Sequence, residues 1–131
     1  MKIDNELLDS LTARTKESPR LRMNFDLRTS SADSSQRMLN ALEPGTQIPI
    51  HRHTKSTETV VMLRGRGIQY YYDNDGNVVD QILLDADGPC RMMSVEVGCW
   101  HRLESLESGT VIFESKDGAF EPISEDDILS L

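Results

Sequence analysis

The sequence predicts an all-β domain, a sandwich or jelly-roll barrel, preceded by one short helix. Three observations support this: leucines at helical spacing that end at a proline, a two-residue alternation directly afterwards, and several short apolar runs separated by polar turns. Periods of about 3.6 and 2 residues are those of an amphipathic helix and a half-buried strand. Short strands at this spacing are typical of barrels and sandwiches, and the jelly roll is common at this chain length.

The helix is expected to follow Asp4, a plausible N-cap, and to continue to about Ser18. Pro19 cannot continue a helix, so residues 1–19 are expected to form a helical segment that covers one end of the domain. From Arg20, polar and apolar side chains alternate as far as Leu27, which predicts the first strand. Further strands are predicted over residues 36–42, 47–53, 58–63, 68–72, 78–84, 91–97 and 110–114.

The polar stretch around Gly76 predicts a hairpin turn between two antiparallel strands, because Gly76 and its Asn and Asp neighbours tolerate positive φ angles. The barrel is expected to span residues 20–122. Residues 123–131 are acidic and are expected to form a peripheral tail, in which Ile128, Leu129 and Leu131 could lie on a short helix.

The composition argues against several classes of partner. The net charge of −8, from 22 acidic and 14 basic side chains, would be repelled by nucleic acid and by anionic membranes, so neither is expected as a partner. The N-terminal residues contain no apolar run of the kind found in secretion signals, and a cytoplasmic location is expected. Cys90 and Cys99 form no CxxC pair, so both are expected to be reduced thiols.

The three histidines of the chain predict a metal site. His51 and His53 are two residues apart, which places both imidazoles on the same side of a strand, and Glu58 follows after a gap long enough for a turn. His101 follows a glycine turn at the start of a distant strand. These residues could bind one divalent ion, with Glu58 as the conditional ligand and as a candidate proton-transfer group. The donor set suits Zn, Fe, Ni or Mn without choosing among them.

Five further residues are candidates for binding the carboxylate, phosphate or hydroxyl groups of a small-molecule ligand near the metal. Arg22 and Asn24 on the first strand are taken to share a face, and so are Arg37 and Asn40 on the second strand. Tyr71 points to the opposite side from its tyrosine neighbours. The candidates are Arg22, Asn24, Arg37, Asn40 and Tyr71. An unprotected strand edge would favour pairing with a second copy of the chain, so a homodimer is also expected.

The spacing of these residues resembles the cupin superfamily, whose first motif is Gly, five residues, His-x-His, three or four residues, Glu, six residues, Gly. Every fixed position is present, at Gly45, His51, His53, Glu58 and Gly65. The resemblance implies a single cupin barrel, a double-stranded β-helix, with one mononuclear metal site.

The second cupin motif is only partly met. Gly98 and His101 match it, whereas Cys90, Glu96 and Ser105 replace its leading glycine, its proline and its final asparagine. Because Ser105 stands at the asparagine position, the resemblance implies no role for that position, whereas it still implies His101 as a metal ligand.

More narrowly, the chain resembles the WbuC-type cupin fold metalloproteins, small bacterial proteins often associated with surface polysaccharide gene clusters. The resemblance covers roughly residues 20–122 and rests on Gln36-Arg37-Met38-Leu39, Pro44-Gly45, Trp100-His101 and residues 114–122.

Two classes of function follow. In the first, an enzyme, the metal polarises an oxygen of a sugar-like or carboxylate ligand and assists isomerisation, epimerisation or hydrolysis, or, with Fe, activates dioxygen. In the second, a binding or regulatory module captures such a ligand without converting it. A structural metal with a closed coordination shell is a weaker third reading.

Overall fold

The computed structural model describes residues 1–130, which contain one α-helix and eight strands. Helix α1 spans Asn5–Glu17, and a 3₁₀ turn lies near the C-terminus at Glu125–Asp127. The strands are β1 (Arg22–Asp26), β2 (Ser35–Leu42), β3 (Glu58–Arg64), β4 (Arg66–Tyr72), β5 (Val78–Asp85), β6 (Met92–Val95), β7 (Trp100–Ser105) and β8 (Val111–Asp117).

The strands form two antiparallel sheets, one of five strands in the order β1-β2-β8-β3-β6 and one of three in the order β5-β4-β7. Apolar side chains from both sheets meet in one buried cluster, so the sheets enclose a common interior. The cluster consists of Leu42, Val60, Met62, Leu84, Leu103 and Ile112. The predicted all-β architecture with one N-terminal helix is therefore confirmed.

Helix α1 begins as its sequence predicts. The Asp4 carboxylate accepts a hydrogen bond from the Leu7 amide (3.1 Å), and the helix ends before Ser18. Leu8 and Leu11 are buried against the outer face of the five-stranded sheet, beside Leu39 and its neighbours. The helix therefore covers the side of that sheet that points away from the interior, and not one end of the domain as expected.

This packing decides which face of β1 points inwards. Met23 and Phe25, the apolar half of the alternation, pack in the cluster beneath α1. Arg22 and Asn24 occupy the opposite face and line the interior cavity. The alternation in the sequence is thus real, but its polar face is the one that points into the barrel.

The hairpin predicted around Gly76 is confirmed. It joins β4 to the antiparallel β5, Gly76 has φ +84°, and the amide of Asp73 donates to the carbonyl of Asn77 (2.9 Å).

Cys90 and Cys99 are free thiols, as expected.

Two further expectations differ from the structure. Residues 47–53 form no regular strand, and their only β-bridges are the two isolated ones at His51, to His101 and to Ile128. Near the C-terminus, the expected short helix is replaced by the 3₁₀ turn, after which Ile128 is extended and bridges to His51. The amide of Leu129 donates to the carbonyl of Ile50 (2.9 Å), so this segment pairs with the histidine-bearing segment. Leu131 lies outside the described residues.

Candidate metal centre

His51 and His101 lie side by side because their backbones pair in an isolated antiparallel bridge. The amide of His51 donates to the carbonyl of His101 (3.1 Å), and the amide of His101 donates to the carbonyl of His51 (2.8 Å). The amide of Gly98 donates to the carbonyl of His53 (2.8 Å). These bonds join two segments that are distant in the sequence and bring all three histidines together.

The imidazoles are arranged around a common centre. One ring nitrogen from each of His51, His53 and His101 lies within 4.8 Å of the other two. Nδ1 of His51 is 2.9 Å from the carbonyl oxygen of Pro49, and Nδ1 of His101 is 2.8 Å from that of Cys99. A carbonyl oxygen only accepts hydrogen bonds, so in the neutral rings Nδ1 carries the proton and Nε2 keeps its lone pair. Such carbonyl contacts commonly orient metal-binding imidazoles.

The unsatisfied nitrogen atoms fit a metal ion. Nε2 of His53 and Nε2 of His101 are buried and have no hydrogen-bond partner among residues 1–130. A buried polar atom left without a partner costs about 1–3 kcal/mol, so such atoms are uncommon. A divalent ion bound by these imidazoles would satisfy both atoms, and the donor set is one that first-row divalent metals accept.

Glu58, the first residue of β3, is buried beside this centre. Its Oε2 atom lies 2.9 Å from Nε2 of His53 and 3.6 Å from Nζ of Lys116. Burial alone would raise the pKa of Glu58, but the neighbouring His53 and Lys116 outweigh it and hold the pKa below the usual range. The carboxylate is therefore ionised at neutral pH and offers a charged oxygen next to the imidazoles.

Two of the imidazoles are neutral at pH 7. Burial and the neighbouring His101 lower the pKa of His51 to about 4, and burial also lowers the pKa of His101. Metals bind the neutral imidazole, so protons compete little with a metal for these two rings at neutral pH.

The metal centre opens into a cavity of about 330 Å³ between the two sheets, which we call the metal compartment. All three histidines and Glu58 line it. Of the five ligand-binding candidates, Arg22, Asn24 and Asn40 also line it. Arg20, which sequence reasoning did not select, stands near Arg22 at the same cavity.

The other two candidates are not brought into this compartment. Arg37 and Asn40 are three residues apart on β2, and an odd spacing puts them on opposite faces, so the assumption that they share a face is wrong. Arg37 forms an ion pair with Asp33 (2.8 Å) instead. Tyr71 is paired with His101 across β4 and β7, but its hydroxyl lies 3.7 Å from Sδ of Met93 and it does not line the compartment.

Sequence reasoning missed Glu114 on β8. Its side chain lines the metal compartment, and Oε1 accepts a hydrogen bond from Nδ2 of Asn40. Burial, reinforced by the charge of Glu58, raises the pKa of Glu114 to about 8, against the opposing effect of Lys116. Glu114 therefore carries a proton at pH 7. Its place two residues after the interior Ile112 could have indicated this position, once the inner face of β8 was known.

The chain matches a family model described as a domain of unknown function, DUF6016, over residues 3–84. It belongs to this family. No curated protein matches the sequence.

Solved structures with a similar fold are cupins. The capsular polysaccharide assembling protein CapF from Staphylococcus aureus has a TM-score of 0.66 and 20% identity, over 84% of this chain and 30% of CapF. Oxalate oxidase in complex with the substrate analogue glycolate has a TM-score of 0.63 and 12% identity, over 79% of this chain and 54% of the oxidase. Oxalate decarboxylase from Bacillus subtilis, which has Mn(II) centres, has a TM-score of 0.58 and 19% identity, over 84% and 28% of the two chains.

These likenesses show that the protein has the cupin fold. The chain spans less than a third of the length of CapF.

Among residues 1–130, no helix is both long and apolar enough to cross a membrane.

Proposed function

We propose that this protein binds one divalent metal ion through His51, His53 and His101, with Glu58 as a fourth ligand, and uses it to bind a small oxygen-rich anion. The observation that carries the proposal is the convergence of three imidazoles on a cavity of about 330 Å³, with one ring nitrogen from each lying within 4.8 Å of the other two. A bound metal would act as a Lewis acid toward an oxygen of the ligand.

The charges around the compartment support an anionic ligand. Arg20 and Arg22 line it, and neither forms an ion pair with a carboxylate among residues 1–130. Burial and the nearby charge of Arg20 lower the pKa of the Arg22 guanidinium. An anion bound between them would relieve this repulsion and could accept charge-assisted hydrogen bonds.

Glu114 favours an enzyme over a purely binding protein. A protonated carboxyl group inside the compartment is a candidate general acid, able to donate a proton to a ligand oxygen. We propose metal-assisted isomerisation, epimerisation or hydrolysis as the reaction class. The non-catalytic binding module is the alternative, and analysis of the products separates the two.

The resemblance to WbuC-type cupins and the fold shared with CapF support a further proposal about the ligand. We propose that it is a sugar-like or carboxylate compound of surface polysaccharide metabolism. A sugar acid has both the oxygen-rich backbone and the negative charge that the compartment would accept.

Metal analysis of the purified protein tests the first step. We expect about one metal ion per chain in the wild type and loss of that ion in His51→Ala and His101→Ala. Calorimetric titration of metal-loaded and metal-stripped protein with glycolate then tests the second step, and binding should require the metal. Stoichiometric metal in both variants would contradict the site, and equal glycolate binding without metal would contradict the role of the metal.

A further inference from the structure

A second cavity adjoins the metal compartment. It has a volume of about 370 Å³, and we call it the distal compartment. Asn24, Asn40, Glu114 and Phe120 line both cavities, so the two are neighbours across this shared wall. Each cavity has a volume within the range typical of small-molecule binding sites, about 300 to 1,000 Å³.

The distal compartment has its own basic side chains. Arg28 and Lys116 line it but do not line the metal compartment. On the inner face of the five-stranded sheet, Lys116 of β8 is paired with Gln36 of β2 on one side and with Glu58 of β3 on the other. This pairing places the ammonium group next to the metal site and at the border of the second cavity.

Arg28 is held in place with part of its guanidinium free. Its Nε and Nη2 atoms donate to the carboxylate of Asp26, with distances of 2.8–3.1 Å, and Nη1 forms no hydrogen bond with residues 1–130. Only 12% of the Arg28 side chain is exposed, against 46% of Asp26. The guanidinium carbon also lies 5.8 Å from the centre of the Phe120 ring. An arginine oriented in this way loses little side-chain entropy when it binds an anion.

We propose that the distal compartment binds a second anionic group of the ligand, a carboxylate or a phosphate, through Arg28 and Lys116, while the first group binds the metal. This inference rests on the proposed function and specifies its substrate class: a short molecule with an oxygen-bearing group at each end. Asn24 and Asn40 line the shared wall, where their amides can bind hydroxyl groups in the middle of such a molecule. Glu114, neutral at pH 7, adds no repulsive charge to this wall.

A series of acids of increasing length tests the proposal. Metal-loaded protein is titrated with glycolate, oxalate, malonate, succinate, glutarate and 2-phosphoglycolate. Glycolate fills only the metal end, whereas the longer diacids and the phosphate compound carry a second anionic group. We expect at least one of these longer probes to bind about tenfold more tightly than glycolate, the gain of one or two charge-assisted hydrogen bonds. If the diacids bind more tightly than 2-phosphoglycolate, the distal compartment prefers a carboxylate; if 2-phosphoglycolate binds more tightly, it prefers a phosphate.

Substitutions of Arg28 and of its partner Asp26 should change the affinity for the longer probes in opposite directions. The affinity of the best longer probe is expressed as a ratio to the affinity of glycolate. Arg28→Met should reduce this ratio about tenfold. Asp26→Asn should increase it, because the variant removes a competing negative charge while its amide oxygen can still accept a hydrogen bond from Arg28. Arg66→Met is the matched control, because Arg66 pairs with Glu107 (3.7 Å) outside both compartments. The control should leave the ratio unchanged.

The results separate the two proposals. If metal-loaded protein binds glycolate but prefers none of the longer probes, the distal compartment is refuted and the metal site stands. Equal effects of the Arg28 and Arg66 variants would refute it as well, since the preference would then come from overall charge. If no probe binds the metal-loaded protein, both proposals fail.

Discussion

Nε2 of His53 lies 2.9 Å from Oε2 of Glu58, yet Nε2 has no hydrogen-bond partner among the described residues. The two atoms are close without the alignment of a hydrogen bond. Two ligands of one first-row metal ion lie about 3 Å apart when their bonds of about 2.1 Å meet at a right angle. The pair therefore has the separation of neighbouring ligands, which is the basis of the first prediction.

We expect Glu58→Gln to weaken metal binding by about 10- to 100-fold, the loss typical of groups that bind or orient at metal sites. A neutral amide oxygen replaces a charged ligand, so the coordination of the metal also changes. The absorption spectrum of the cobalt(II)-loaded protein measures that change. Asn24→Ala, which alters the same cavity without touching the imidazoles, should leave the spectrum unchanged; a Glu58→Gln spectrum identical to the wild type would show that Glu58 is not a ligand.

Metal should stabilise the folded protein. A ligand that binds only the folded state adds RT ln(1 + [L]/Kd) to the free energy of unfolding, about 2.7 kcal/mol at one hundred times Kd. Thermal unfolding of metal-stripped protein with added Zn(II) or Mn(II) should therefore show a higher Tm than without metal. The same additions should leave the Tm of His101→Ala nearly unchanged, and an equal rise in this variant would point to binding elsewhere.

The contact between Arg52 and Asp127 should support the metal site from the C-terminal segment. Nε of Arg52 lies 3.0 Å from Oδ1 of Asp127, and the guanidinium lies 4.4 Å from the ring centre of Trp100. Because Arg52 stands between two of the histidines, we expect Asp127→Asn to weaken metal binding about two- to fivefold, as a partly exposed ion pair is worth up to about 1 kcal/mol. Competition with a metal chelator measures this.

Lys55→Met is the control for that variant. Lys55 also pairs with the C-terminal segment, at Glu121 (2.9 Å), but both side chains are exposed. Metal binding should be unaffected by its loss. Equal weakening in both variants would mean that the arginine contact has no special role.

The pH dependence of stability should report on Glu114. Because the pKa of Glu114 is raised to about 8 in the folded state, against about 4.3 for an unperturbed glutamate, the folded protein binds more protons than the unfolded chain between these values. Its contribution to the free energy of unfolding therefore falls as the pH rises through this range. Urea unfolding of metal-stripped protein between pH 5 and 8 measures it.

In Glu114→Gln, which has no proton to lose, this fall should disappear, so the variant gains stability relative to the wild type as the pH rises. Glu104→Gln, on the exposed side of β7, is the control and should keep the wild-type profile. If the Glu114 variant has the same slope as the wild type, the carboxyl is ionised throughout this range.

Gly65→Ala should destabilise the fold. Gly65 connects β3 to β4 with φ +86°, and a Cβ atom there would lie 2.8 Å from the backbone Cα of Thr110. Both the left-handed conformation and the close backbone exclude a side chain, so we expect a loss of about 2 kcal/mol or more. Gly118→Ala, where φ is also positive but the space is open, isolates the conformational part. Urea unfolding should show the larger loss at Gly65.

Short-range pattern in the sequence is enough to predict the helix after Asp4, the β4–β5 hairpin at Gly76 and the three histidines of the candidate site. Each depends on local chemistry: a capping side chain, residues that tolerate positive φ, and imidazoles two residues apart. The strand predicted over residues 47–53 was wrong because this segment binds its partners through single bridges at His51, which leave no periodic signal.

The tertiary structure decided which faces point inwards. Helix α1 covers the apolar face of β1, so Arg22 and Asn24 point into the barrel, and the odd spacing of Arg37 and Asn40 sends only Asn40 there. The position of Glu114 at the metal compartment follows only from the placement of β8 between β2 and β3. Alternation along a strand defines two faces but not which one is buried, because burial depends on what packs against each face from elsewhere in the chain.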